Sequence, residues 1–341
     1  MKIIPGFEFL QTHHCITGSM LHVFNFHDCP ISEEMLLGLG EGVGFIYWHP
    51  KGGLPFLGGR GNTGRDVKAT CLEVLAAQRC GVAASRKVTS SRNKAEKIML
   101  RWLEQGEPLM IQVDMGLLPY FPLFKQYHFG YHGVVAAGYD PASGEVTLAD
   151  RDAQPYAVPL AQLMDARGSV FQPFPPQNAW LEYDFSAFHI PTQADISTAI
   201  RHCADGMIHP PIRNIGVRGI QTSGQRIRTW PDTMNDRELA DSCTNAALYI
   251  RADAGTGGGL FRWMYGRFLQ EAAVRLNESL LEQCSREMKL AGDHWEKIAD
   301  LLAPVKSRID LNDRLTAIDS CFLELHELER SAWSRLLDIP G

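Results

Sequence analysis

The sequence predicts an α+β protein in two parts: a mixed domain over residues 1–165 and a mainly α-helical domain over 166–341. Three observations predict it. Short apolar runs of strand character alternate with helical patterns up to about residue 160. A proline-rich connector, "FQPFPPQN" at 171–178, follows. Beyond it the pattern is helical over 192–206, 236–250, 258–275, 278–303 and 310–336.

The elements follow in order. Residues 15–26 are largely apolar with polar residues at intervals, and read as a helix starting near Cys15. Ser32 N-caps a second, short helix. Glu33 and Glu34 sit in its first turn, where the helix dipole favours acids, and read as capping acids rather than a catalytic pair. Gly38, Gly40, Gly42 and Gly44 end that helix and lead into the strand "FIYW" at 45–48. Residues 50–64 read as a glycine-rich loop, and 66–80 and 92–105 as helices. "PLMIQVD" (108–114) reads as a buried strand. "HGVVAAGYD" (132–140), "PASG" (141–144) and "EVTLAD" (145–150) read as strand, turn and returning strand of a hairpin. The stretch 207–231, with Pro210, Pro211 and several glycines, reads as an irregular loop.

Composition bounds the function. The chain has 341 residues, 45% hydrophobic and 21% charged, enough for a normal core. A net charge of −6 argues against a general nucleic-acid binder. No window approaches a membrane span, and the N-terminus lacks a signal peptide's apolar run, so a cytoplasmic location is expected. The eight cysteines are scattered without a C-x-x-C pair. Neither a disulfide framework nor a structural zinc site is expected.

Cys15 carries the first chemical signal. A thiolate is the strongest ordinary protein nucleophile near neutral pH, and a helix N-terminus or a neighbouring imidazole lowers its pKa. Taken alone, Cys15 reads first as a small core residue. His132 opens an apolar strand, and Asp150 ends the returning strand. A hairpin brings those ends together, so Asp150 is placed to orient the ring. Asp152 competes for that role. The plainer reading is a strand-capping histidine and a turn aspartate. A thiol on an early helix, then a histidine on a strand, then an acid on the next strand, is the papain-type order.

Further motifs resemble the butirosin side-chain acyltransferase family: "HC" at 14–15, "ISEEMLLGLGEGVGFIYW" at 31–48, "LPY" at 118–120 and "HFGYHGVVAAGYD" at 128–140. "GGGLFRWMYGRFLQEAA" at 257–273 resembles the helical domain that accompanies it. The resemblance implies a papain-like (cysteine-peptidase-like) N-terminal domain, distantly similar to bacteriocin-processing peptidases. It implies acyl transfer from a carrier-protein thioester, through an acyl-cysteine, to a small amine acceptor, with no cofactor beyond the carrier's phosphopantetheine arm. By motif position Cys15 is the nucleophile, His132 the base and Asp150 the orienting acid. His14 matches the residue before the nucleophile and either assists the oxyanion or packs. Papain-like peptidases supply an oxyanion donor from a glutamine six residues before the cysteine. Phe9 stands there, and Gln11 is the nearest glutamine.

Four further features are weighed. His13, His14, His128 and His132 suggest a metal only weakly, because no further ligand set clusters with them; His128 is kept as a substrate contact. Residues 60–101 hold ten basic side chains against three acids. That is a basic face on an acidic protein, suited to an acyl carrier protein, or an ordinary solvated helix face. "TGGGLFRWMY" (256–265) puts glycines before a helix with Arg262 in its first turn, a candidate phosphate contact or simply a loop and helix start. The competing functions are hydrolysis by the same triad, intramolecular transfer giving cyclisation, and a non-catalytic scaffold that binds carrier proteins.

Overall fold

A computed structural model of the chain describes residues 1–62, 70–122, 124–172 and 174–339. In chain order the elements are α1 (Cys15–Phe26), α2 (Glu33–Leu39), β1 (Val43–Trp48), β2 (Phe56–Arg60), α3 (Leu72–Gln78), β3 (Ala83–Lys87), α4 (Arg92–Glu104), β4 (Leu109–Val113), β5 (His132–Asp140), β6 (Glu145–Ala149) and β7 (Pro155–Pro159). They continue with α5 (Leu160–Arg167), β8 (Trp180–Asp184), α6 (Gln193–Ile208), α7 (Gly216–Ile227), α8 (Trp230–Thr233), α9 (Asp236–Ile250), α10 (Arg262–Leu276), α11 (Ser279–Leu302) and α12 (Arg308–Leu337). The fold is mixed α/β, with an N-terminal sheet region and a C-terminal helical region.

The chain forms two compact units that are not contiguous in sequence: residues 1–36 with 77–190, and residues 37–76 with 191–341. This departs from a division at 165/166. Two segments cause the difference. Residues 180–184 form β8, which pairs with β3 and β4 and so belongs to the sheet. The β1–β2 hairpin packs with the later helices: Tyr47 N–H bonds Asn214 O at 2.8 Å, and Asn245 Nδ2 bonds Pro55 O at 2.9 Å.

The first unit is built on a six-stranded antiparallel sheet in the order β3-β8-β4-β5-β6-β7. β4 and the first half of β5 are buried on both faces, which fits their unbroken apolar runs, "LMIQV" and "HGVVAA". α1 lies against β5. Ile16, Met20 and Phe24 recur at helical spacing and are fully buried. Gly133 permits the approach: a Cβ there would stand 2.9 Å from Ile16 Cδ1 and 3.2 Å from Cys15 O.

The second unit is a layer of helices around Trp230, Trp295, Trp333, Tyr265 and Phe268, all within 1% of full burial. The stretch 207–231 is corrected here, because it contains α7 rather than a loop. Val217, Ile220 and Ile227 line one buried face. The glycines mark close packing, not a break: a Cβ on Gly224 would meet Phe322 Cβ at 3.0 Å. Likewise, residues 56–60 of the expected glycine-rich loop are a strand. Gly59 is there because a Cβ would stand 2.6 Å from Leu260 O. The expected helix over 66–80 is α3, which starts at Leu72; residues 66–69 lie outside the described ones. Among the described residues no helix is long and apolar enough to cross a membrane. All eight cysteines are free thiols.

Candidate active site

α1 begins at Cys15, which is partly exposed at the helix N-terminus. The helix starts there because His14, in extended conformation (φ −121°, ψ 135°), is its N-cap residue. Gly18 N–H bonds His14 O at 2.7 Å. The N–H groups of Cys15 and Ile16 therefore head the helix and point beyond its first turn.

His132 opens β5 opposite Val113 at the end of β4. Ala149 ends β6 opposite Val135, so Asp150 leaves the sheet at the His132 end. His132 Nε2 lies 2.8 Å from Asp150 Oδ2, and both side chains are nearly buried. The carboxylate fixes the ring: Nε2 carries the proton given to Asp150, and the other nitrogen is left for the thiol. A hydrogen bond joins the His132 side chain to Cys15. Asp152 is not the partner. It accepts from the Tyr156 hydroxyl instead.

Electrostatics follow from this contact set. Burial alone would raise the Cys15 thiol. The charge of His14 and the hydrogen bonds from His132 and His14 outweigh it and hold the thiol well below its ordinary value. Burial alone would lower His132; Asp150 and Cys15 outweigh it and hold the ring up at about 10. Asp150 is drawn below its usual range, burial notwithstanding, chiefly by the charge of His132. These contacts favour a thiolate beside an imidazolium, braced by a carboxylate.

Three residues in this site escaped sequence reasoning. Tyr120 Oη donates to Asp150 Oδ2 at 2.8 Å and stacks on Tyr156 with ring centroids 3.8 Å apart. It stands in the "LPY" motif, but local spacing does not tie it to Asp150. Glu33 is the second. It opens α2 as expected, with Ser32 Oγ accepting from Met35 N–H at 3.0 Å. Its carboxylate, however, serves the segment before Cys15, accepting from His13 N–H (2.9 Å) and His14 N–H (2.8 Å). Thr17 is the third, donating to the same carboxylate at 2.9 Å.

The other expected contacts fall variously. Gln11 is exposed, and its amide donates to Arg151 O at 3.2 Å. His128 Nδ1 lies 2.9 Å from Asp114 Oδ2, and its ring stacks on Phe171 at 3.5 Å. Asp114 follows Val113, the partner of His132, so this second His–Asp pair lies at the same end of the sheet. Arg262 is corrected. It is fully buried, bidentate to Glu329 at 2.9 Å on both oxygens, and also bonds Gly44 O and Leu260 O. Its guanidinium is committed to folding and faces no solvent, so it is not open to a phosphate. In the basic region, Arg92 pairs with Asp165, and Arg86 bonds Gln112. Lys87, Lys94, Lys97 and Arg101 are exposed. Arg65 and Lys68 lie outside the described residues.

Fold and site together define an α+β domain carrying a Cys–His–Asp constellation, joined to a helical domain. Residues 14–151 match the family described as butirosin biosynthesis protein H, N-terminal, and residues 161–336 match a domain of unknown function, DUF4872. The chain belongs to this family, the butirosin biosynthesis protein H type with its companion C-terminal domain. A comparison with curated proteins gives no match.

Proposed function

We infer that the protein is a cysteine-dependent acyltransferase of natural-product biosynthesis, with a papain-like catalytic domain. One observation carries this reading: Cys15, at a helix N-terminus, hydrogen-bonds a histidine whose other nitrogen is held by Asp150. The family match supports the biosynthetic setting.

The chemistry is a two-step transfer without redox change. The Cys15 thiolate attacks the carbonyl of an acyl or aminoacyl thioester on a carrier protein's phosphopantetheine arm. The carbon–sulfur bond to the arm breaks, and the departing thiolate takes the proton from His132. The acyl group now sits on Cys15. An amine, separate or part of the acyl group itself, attacks next. His132 takes its proton, an amide forms and Cys15 leaves as thiolate. The N–H groups of Cys15 and Ile16, at the head of α1, serve as donors to the developing oxyanion in this reading. The exposed cations of β3 and α4 suit an acidic carrier protein.

The test is product analysis with a carrier-bound acyl thioester and a panel of amines. Amide formed by the wild type and absent with Cys15→Ala is the expected result. Free acid alone, under every amine, identifies a hydrolase. Turnover by Cys15→Ala removes the nucleophile assignment altogether.

A further inference from the structure

Glu33 is a buried carboxylate, 5% exposed, that neither the hairpin nor the acyl-transfer steps require. Burial works against its charge, and the three donors it accepts work for it. Two are the consecutive peptide N–H groups of His13 and His14, immediately before Cys15. The third is the Thr17 hydroxyl, one turn into α1. Capping of α2 does not explain this arrangement, because all three donors lie on the segment before Cys15 and on α1.

The hydrogen-bond bookkeeping at Thr17 is informative. Its hydroxyl has one proton, and that proton goes to Glu33 Oε1 at 2.9 Å. The same oxygen lies 3.1 Å from His14 Nδ1, so there it accepts and Nδ1 donates. The alternative partner for Nδ1, Thr17 N, is farther, at 3.4 Å. Glu33 thus calls for a proton on His14 Nδ1 and fixes the ring on that side, and the His14 side chain also hydrogen-bonds the Cys15 thiol.

We propose that Glu33 is a positioning residue for Cys15: through Thr17 and the peptides of His13 and His14 it fixes the His14 ring as a second imidazole on the thiol. This rests on reading Cys15 as the nucleophile. Two arms then meet at one sulfur, Asp150–His132 and Glu33–Thr17–His14. The thiol proton is carried by His132, and the fixed His14 ring lends its own charge and hydrogen bond to the sulfur.

The sign of one measurement separates positioning from simple charge. Removing the negative charge of Glu33, with nothing else changed, eases ionisation of a nearby thiol. Losing the orientation of His14 hinders it. The experiment follows the pH dependence of iodoacetamide alkylation at Cys15, read by mass spectrometry of the Cys15 peptide, in wild type, Glu33→Gln, Thr17→Val and Thr17→Ser. The expected result is a rate profile displaced to higher pH by about one unit in Glu33→Gln and Thr17→Val, about tenfold slower at pH 6. Thr17→Ser, which keeps the hydroxyl, follows the wild type. Profiles for Glu33→Gln and Thr17→Val that overlay the wild type, or move to lower pH, overturn the proposal. If Glu33→Gln fails to fold, the Thr17→Val and Thr17→Ser pair decides. If wild-type Cys15 reacts no faster folded than in urea, the nucleophile reading itself fails, independently of Glu33.

Discussion

At the scale of single residues, the site is organised around Asp150. One oxygen of this carboxylate takes both His132 Nε2 and Tyr120 Oη at 2.8 Å. Tyr120→Phe removes one donor to a buried charge and keeps the stack on Tyr156. The expected outcome is a fall of about tenfold in kcat with KM unchanged, since a hydrogen bond to a charged group contributes about 1.5–3 kcal/mol. Steady-state kinetics on a short acyl thioester checks it. His22 makes a different prediction. It is buried, its Nε2 accepts from Leu10 N–H at 3.0 Å, and its Nδ1 faces Gly18 O at 2.8 Å. Burial lowers its pKa from 6.5, only partly offset by the Gly18 carbonyl and the charge of Asp150, so folding disfavours its charged form. The unfolded chain binds a proton there that the folded chain refuses. Stability from His22 is therefore present above about 6.5 and lost as pH falls through that value. His132 has the opposite sign: its raised pKa gives stability that is full below about 6.5 and lost progressively as pH climbs from there to about 10. The urea midpoint should fall between pH 7 and 5.5, and should fall less in His22→Gln.

At the scale of elements, the sequence was most legible where one pattern had one cause. The 15–26 helix and the 132–150 hairpin appear with the expected ends because apolar spacing and turn chemistry agree. α7 was misread because glycine has two meanings. Gly219 and Gly224 resemble loop signals, but each allows a close approach within a helical layer, and only the packing partner tells the two apart. β3, β7 and β8 are short, and each needs a neighbouring strand to be recognised. α4 has a consequence of its own. Its exposed face carries Lys94, Lys97 and Arg101, while Ala95, Met99 and Leu103 are buried. Neutralising those cations, together with Lys87, should raise KM for a carrier-bound donor about tenfold and leave a short thioester unaffected. An equal effect on both donors counts against docking there.

At the scale of the whole molecule, composition and order along the chain gave the class of fold, but not how the chain divides. The two compact units each take two separated segments, and no local signal marks such an exchange. The Cys–His–Asp order was legible because each member sits at an element end that the sequence announces. Glu33 was not, because its partners lie 16 to 20 residues away and its position also satisfies a capping rule. In the second unit, Arg262 and Glu329 form a wholly buried pair, and the Nε1 groups of Trp295 and Trp333 also donate to Glu329. Glu329→Ala leaves that cation uncompensated and should cost about 3–5 kcal/mol of stability in urea unfolding. Arg262→Met with Glu329→Leu should recover most of it. The central claim concerns one sulfur atom. The most direct measurement is intact-mass analysis after mixing the protein with an acyl thioester and no amine. The account predicts one added acyl mass, located on Cys15, absent in Cys15→Ala and discharged when an amine is supplied. An unmodified chain that still consumes the thioester, or an adduct that persists in Cys15→Ala and is discharged normally, contradicts it.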